Sequence, residues 1–217
     1  MLIRHRSSKF GKLAPKGFTI VELLVVIVVI GILAVIAVSS YTGAQLRAKN
    51  QQNLSTAGAY YKALITYATD YNAYPPDLDW WPCMGAYKND VNNDGLGDCI
   101  WQGTTAEHSY SPNFHNALRR YIDITAGPSD LTTTDWQGRT LSGIQYFEML
   151  GGTLNGQPHE WFMNYFVKAP AKCTVGQVVY DVGWPAFSTS SSTQGYTYEE
   201  ADGGRWCVTK LPNPAMN

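Results

Sequence analysis

One segment limits what this 217-residue chain can fold into more than any other. From Phe18 to Val38 runs a 21-residue stretch, FTIVELLVVIVVIGILAVIAV, that contains a single charge, Glu22. As a helix it is about 31 Å long, the thickness of a bilayer's hydrocarbon core. The flanking charge is lopsided. Five of the 16 bases (Arg4, Arg6, Lys9, Lys12 and Lys16) precede Gly17, and all 17 acids follow it. A basic leader of this kind stays on the cytoplasmic side, so the remainder is sent outward. That remainder carries 11 bases against 17 acids. An acidic body is a poor general binder of phosphate backbones, and no nucleic-acid contact is evident in the sequence. A secretory signal is the alternative, with Ala37-Val-Ser39 as its small-residue cleavage site. The length of the run, the acid near its start and the helical pattern that continues beyond it favour a retained helix.

Glu22 is the anomaly. A carboxylate in a membrane span costs about 2–3 kcal/mol at mid-depth, and such groups find partners. No base lies three or four residues away, which places the expected partner on another molecule.

The residues Lys16-Gly17-Phe18-Thr19-Ile20-Val21-Glu22-Leu23 resemble the processing site of the type IV prepilin family, which includes pilins and the pseudopilins of type II secretion. The likeness covers roughly Lys16 to Tyr74. It implies that a prepilin peptidase cuts between Gly17 and Phe18 and methylates the new amine. It also implies that the apolar helices pack into a filament core, where Glu22 pairs with the Phe18 amine of a neighbouring, identical or related subunit. Each charge then supplies what the other lacks in an apolar setting. The chain departs from the family in two ways: Val38-Ser39-Ser40-Tyr41 stands where many pilins carry a helix-loosening proline, and the leader is long.

Beyond the span, Leu54, Ala57, Gly58, Tyr61, Leu64, Ile65 and Ala68 recur at helical spacing, and Pro75-Pro76 ends the pattern. The expected organisation is a leader (1–17), a membrane or filament helix (18–38), its continuation (39–72) and a head (73–217). The fold class is α+β, with an antiparallel sheet laid on the exposed half of the long helix. Trp161–Val167, Gln177–Tyr180 and Arg205–Thr209 read as strands, and Asn113–Tyr121 as a short helix. The tract Ser188–Thr193 reads as a surface loop.

Four cysteines beyond a membrane point to disulfides, with three pairings possible. Nearest neighbours, Cys83–Cys99 and Cys173–Cys207, are the expected pairs, and the second resembles the C-terminal loop of many pilins. Inside the first bracket, Asp90, Asn92, Asp94 and Asp98 stand at positions 1, 3, 5 and 9 of a calcium-loop pattern with Gly95 at 6. The Leu96 carbonyl would be a further ligand for a structural calcium ion. Trp101 stands where the bidentate acid belongs, so another oxygen, such as Glu107 or water, is needed. A polar turn rich in Asp and Asn is the alternative.

No catalytic constellation is present, and the chain is not expected to be an enzyme. His108, His115 and His159 are scattered, as surface or structural histidines would be. Trp80, Trp81, Trp101 and Trp136 suit core packing better than a glycan-binding patch. Two functions share every N-terminal feature: a pilin, major or minor, in an extracellular filament, and a pseudopilin in a periplasmic secretion machine. Both begin as single-pass proteins of the cytoplasmic membrane.

Overall fold

The computed structural model describes residues 17–76, 81–87, 90–91, 93, 97–123, 127–135, 138–148, 153–154, 157–158, 161–178, 198–199 and 202–214. The chain divides into two compact units between Gly43 and Ala44. Helix α1 (Ile20–Tyr71) is 52 residues long and contributes to both. It passes without interruption through Val38-Ser39-Ser40-Tyr41, where the Ser40 hydroxyl donates to the Ile36 carbonyl at 3.0 Å.

The first unit is the apolar part of α1. Every described side chain between Phe18 and Val38 is exposed, from Val26 at 45% to Ile20 at 84%. By length and composition this is the one described helix able to cross a membrane.

In the second unit α1 is amphipathic. Its buried ridge runs Asn50, Asn53, Ala57, Tyr60, Leu64 and Ala68, at steps of three and four. The sequence stripe thus sits one position off centre at two points. Gly58, Tyr61 and Ile65 are half-buried flanks, and Tyr60 holds the middle of the core face.

The head is built from eleven described strands and one further helix. A four-stranded sheet has the order β2 (Thr105–Ser109), β1 (Asp98–Gln102), β4 (Thr140–Ser142), β3 (Thr132–Thr134). The larger sheet has the order β10 (Tyr198–Glu199), β11 (Gly204–Lys210), β8 (Trp161–Lys168), β5 (Ile144–Glu148), with β9 (Gln177–Val178) also on β11. A hairpin of β6 (Thr153–Leu154) and β7 (Gln157–Pro158) stands apart, and all described pairings between these strands are antiparallel. Helix α2 (Pro112–Leu118) starts one residue before the expected helix and stops three short of its end. Its start is set by Ser111, whose hydroxyl accepts the Phe114 N–H at 3.2 Å, with Pro112 in the first turn.

The strands explain the layering. Along β8, Met163, Tyr165 and Val167 join the core that holds Tyr60 and Leu64 of α1. Phe162 and Phe166 point the other way, into a second core with Ile100 and Leu141 of the smaller sheet. In β11, Cys207 joins the first core while Trp206 and Val208 join the second. Period-two alternation therefore gives β8 two apolar faces, and its sequence reads as a nearly continuous apolar run. The result is three layers (helix, five-stranded sheet, four-stranded sheet), one more than expected from sequence.

Two joints hold the layers in register. At Gly143, between β4 and β5, the chain leaves one sheet for the other with φ +70°. A Cβ there would strike the Tyr87 ring, so only glycine fits. The segment Pro82–Met84 bridges the sheets: Cys83 N–H donates to the Ser109 carbonyl (3.0 Å) and Met84 N–H to that of Ile144 (2.8 Å).

The helix meets the sheet through amides as well as apolar side chains. The Asn50 side chain donates to the Lys168 carbonyl and accepts the Lys168 N–H, both at 2.8 Å. Asn53 donates to the Phe166 carbonyl (2.8 Å) and accepts the Ser129 N–H (2.6 Å). On this side of β8, β5 ends at Ile144, opposite Tyr165. The two asparagines take over where that strand stops, each standing in for a missing peptide group. Replacing Asn53 by Ala strands a buried N–H and a buried C=O, so N53A is expected to lose about 2–3 kcal/mol. Urea unfolding of the micelle-solubilised chain, followed by tryptophan fluorescence, checks this. An exposed control such as Lys62→Ala stays within about 0.5 kcal/mol.

Candidate functional site

The N-terminus of α1 is a reciprocal cap. The Thr19 N–H and hydroxyl both donate to Glu22 Oε2, at 2.9 and 2.7 Å, and the Glu22 N–H donates to the Thr19 hydroxyl at 3.2 Å. This is a capping box, with Thr at the cap and Glu three residues on. Glu22 thus has hydrogen-bond partners inside its own chain, in addition to the charged partner expected on another molecule. The T-x-x-E spacing ahead of an apolar run is the sequence signal for this cap, and weighing the acid only by its cost in lipid passes over it. Among the described residues Oε1 accepts no hydrogen bond, so half of the carboxylate's acceptor capacity remains open.

The expected processing bond lies just outside this cap. Gly17, Phe18 and Thr19 precede the first helical residue, Ile20, and are exposed, Phe18 at 72%. The Gly17–Phe18 peptide bond is therefore in non-helical backbone.

Of the five expected calcium ligands, Asn92, Asp94 and Leu96 lie outside the described residues. Asp98 is fully buried; its Oδ2 accepts the Val91 N–H at 2.8 Å and its Oδ1 the Ser109 hydroxyl at 2.6 Å. It thereby ties the base of the loop to β2. Asp90 is half-buried, and Asn93 adopts a left-handed φ of 58°. Glu107, the suggested supplementary oxygen, is engaged by Arg139 at 3.4 Å. Trp101 is half-buried on β1. Among the described residues no three His, Cys, Asp or Glu side chains converge as a metal site would require.

The four cysteines form two disulfides, Cys83–Cys99 and Cys173–Cys207, with Cα separations of 5.7 and 5.6 Å. The first joins the inter-sheet bridge to β1, and the second ties the segment after β8 to β11.

His115 is fully buried and structural. Its Nε2 accepts the Gly85 N–H at 3.0 Å, which leaves the ring proton on Nδ1 to donate to the Ser111 carbonyl at 2.8 Å. Tyr110 stacks on the ring at a centroid distance of 4.0 Å, and Tyr60 and Phe114 meet it edge-on. Burial pushes its pKa down to about 4, against the opposing effect of the Ser111 carbonyl. His108 stacks on Trp81 at 5.5 Å, while His159, Trp80 and Trp136 lie outside the described residues, as does the Ser188–Thr193 tract.

Residues 14–38 match the family model of the prokaryotic N-terminal methylation motif. The chain is 38% identical over 66 residues to the fimbrial protein EcpC of Eikenella corrodens, covering 30% of this chain and 43% of that one. It is 41% identical over 64 residues to the type II secretion system core protein G of Aeromonas hydrophila, covering 30% and 45%. It is 34% identical over 97 residues to the type IV major pilin protein PilA of Myxococcus xanthus, covering 43% and 44%. The matched segments thus span less than half the length of each relative. No solved structure matches the chain. Its N-terminal segment thus carries the prokaryotic N-terminal methylation motif and is similar to the corresponding segments of type IV pilins and type II secretion pseudopilins.

The neutral His115 sets a pH dependence. The unfolded chain binds a proton near the ordinary value of 6.5, and the folded chain resists it to about 4. Stability is therefore full above pH 6.5 and is lost as pH falls toward 4. The urea-derived stability difference between the wild type and His115→Gln is expected to shrink by about 2–3 kcal/mol between pH 7 and 4.5.

Proposed function

We propose that this chain is a structural, non-catalytic subunit of a type IV pilus-like filament, assembled through its N-terminal helix. In this reading it first spans the cytoplasmic membrane once, with the leader inside. A prepilin peptidase then cuts between Gly17 and Phe18 and methylates the Phe18 amine. The helices of identical or related subunits pack into the filament core.

The observation that carries the proposal is the state of Glu22 at the head of an exposed apolar helix. Its Oε2 is used by Thr19, and its Oε1 is the acceptor left for a cation. An amine on a neighbouring subunit suits that oxygen, since each charge is costly alone in an apolar core. Residues 18–38 supply adhesion, and the ion pair supplies register. A pseudopilin of type II secretion is the second reading, favoured by the likeness to core protein G. It uses the same helix in the same way and differs in where the filament ends.

Mass spectrometry of sheared surface filaments tests both. Methylated Phe18 at the N-terminus of a protein abundant in those filaments is expected of a pilin, and the same residue on a protein confined to the cell envelope is expected of a pseudopilin. A protein found solely in membranes and still beginning at Met1 sinks both. The substitution Glu22→Val is expected to leave the folded head intact and to lower filament yield at least tenfold.

The Asp90–Asp98 loop is proposed to hold a structural calcium ion. Asp98 supports this, because its carboxylate is already anchored at the loop base and each oxygen keeps a further lone pair. With the weak affinity of extracellular modules (Kd about 10⁻⁴–10⁻³ M), about 5 mM calcium is expected to stabilise the head by about 1–2 kcal/mol over a chelated sample. Asp94→Ala removes that increment. A thermal shift unchanged by calcium in the wild type overturns the assignment.

A further inference from the structure

Four segments of the head converge on a groove of about 310 Å³: Tyr61 of α1, Gln177 of β9, Lys210 of β11, and Pro212 with Asn213 just beyond it. The walls are fixed in place. Lys210 and Gln177 are cross-strand partners. Gly176 has φ +62°, and the carbon it lacks would overlap the ring of Tyr61 and the methyl of Thr209, so the absence of a side chain lets the Tyr61 ring lie against the strand edge. The Thr209 hydroxyl donates to the Val175 carbonyl at 2.7 Å, and the Val175 N–H donates to the Tyr165 hydroxyl at 3.0 Å. The Tyr74 hydroxyl donates to the Pro212 carbonyl at 2.6 Å, and the Cys173–Cys207 disulfide ties the same region to β11. Walls held by side chains and sulfur from separate elements keep their shape without a ligand.

The lining has a definite chemistry. Lys210 is half-buried and has no carboxylate within 4.0 Å among the described residues, although acids outnumber bases in the chain outside its leader. With no such partner among the described residues, the Lys210 ammonium suits a carboxylate. Gln177 and Asn213 each offer both donors and an acceptor, which suits hydroxyl or acetamido groups. The Tyr61 ring offers a flat apolar face for C–H groups. The groove is small beside sites for drug-sized ligands and carries too little apolar wall to hold a lipid chain.

We infer that this groove is a binding site for a carboxylate-bearing sugar unit, of the uronic or sialic acid type: the carboxylate on Lys210, the hydroxyl or acetamido groups on Gln177 and Asn213, and the ring against Tyr61. The site uses no residue of the apolar segment 18–38, and it serves a pilin or a pseudopilin head alike.

The test is ligand-observed NMR on the micelle-solubilised full chain, with glucuronic acid and N-acetylneuraminic acid as probes and glucose and acetate as comparisons. Saturation transfer to at least one acid sugar is expected, with weaker transfer to glucose and to acetate. Lys210→Met is expected to weaken binding about tenfold, the loss of one charge-assisted contact. Tyr61→Ala is expected to weaken it too, and Lys172→Met to leave it unchanged. Because Tyr61→Ala also removes packing between α1 and the strands, its unfolding midpoint is measured alongside, and Lys210→Met alone decides if that midpoint falls. Several results overturn the inference: no acid sugar bound at millimolar concentration, glucose bound as tightly as the acids, binding unaffected by Lys210→Met, or Lys210 crosslinked to a neighbouring subunit in intact filaments.

Discussion

The architecture of the head depends on how the second half of α1 takes hold of β8. Apolar contact alone would let a helix slide along a sheet, since Ala57, Tyr60 and Leu64 could meet several sets of strand side chains at little difference in energy. The paired amide contacts of Asn50 to Lys168 and of Asn53 to Phe166 and Ser129 remove that freedom. Once they form, the helix face toward the sheet is chosen, and so is the face of β8 toward the helix. The opposite face of β8, with Phe162 and Phe166, must then be covered by something else. The four-stranded sheet is that cover, and the turn at Gly143 and the Pro82–Met84 bridge bring it there.

The parts of this fold that follow from burial on a simple period were legible in the sequence. The apolar helix, the strands β8 and β11 and the helical run up to Pro75-Pro76 each carry a long regular pattern. The smaller sheet was not legible, because its strands are short and polar. Thr132–Thr134 and Thr140–Ser142 bury few side chains each, and Asp98–Gln102 follows directly on a loop rich in oxygen side chains. Asn50 and Asn53 were hidden for the opposite reason. A polar residue on a helix is read as solvent-facing, and the unpaired strand backbone that makes it a good core residue is far away in sequence. The start of α2 turns on Ser111 as its cap, which hydrophobic spacing does not report.

The candidate assembly site shows the same division. The unusual placement of Glu22 was evident from composition, and its role in capping its own helix was evident only from spacing. The cap uses one carboxylate oxygen, and the proposed pairing would use the other. A subunit can therefore keep the first turn of α1 intact while Glu22 stays available to a second molecule. The helix start that Thr19 stabilises also holds the carboxylate in one place, which limits the freedom lost when a partner arrives.

The Cys173–Cys207 disulfide has a consequence for the covalent integrity of the head. Any peptide bond between those two cysteines can be cut without releasing β11, which stays joined to the rest through sulfur and through its full-length pairing with β8. That interval includes the serine and threonine tract. A head nicked there by a protease would run as two fragments on a reducing gel and as one species otherwise, and would still present both of its cores.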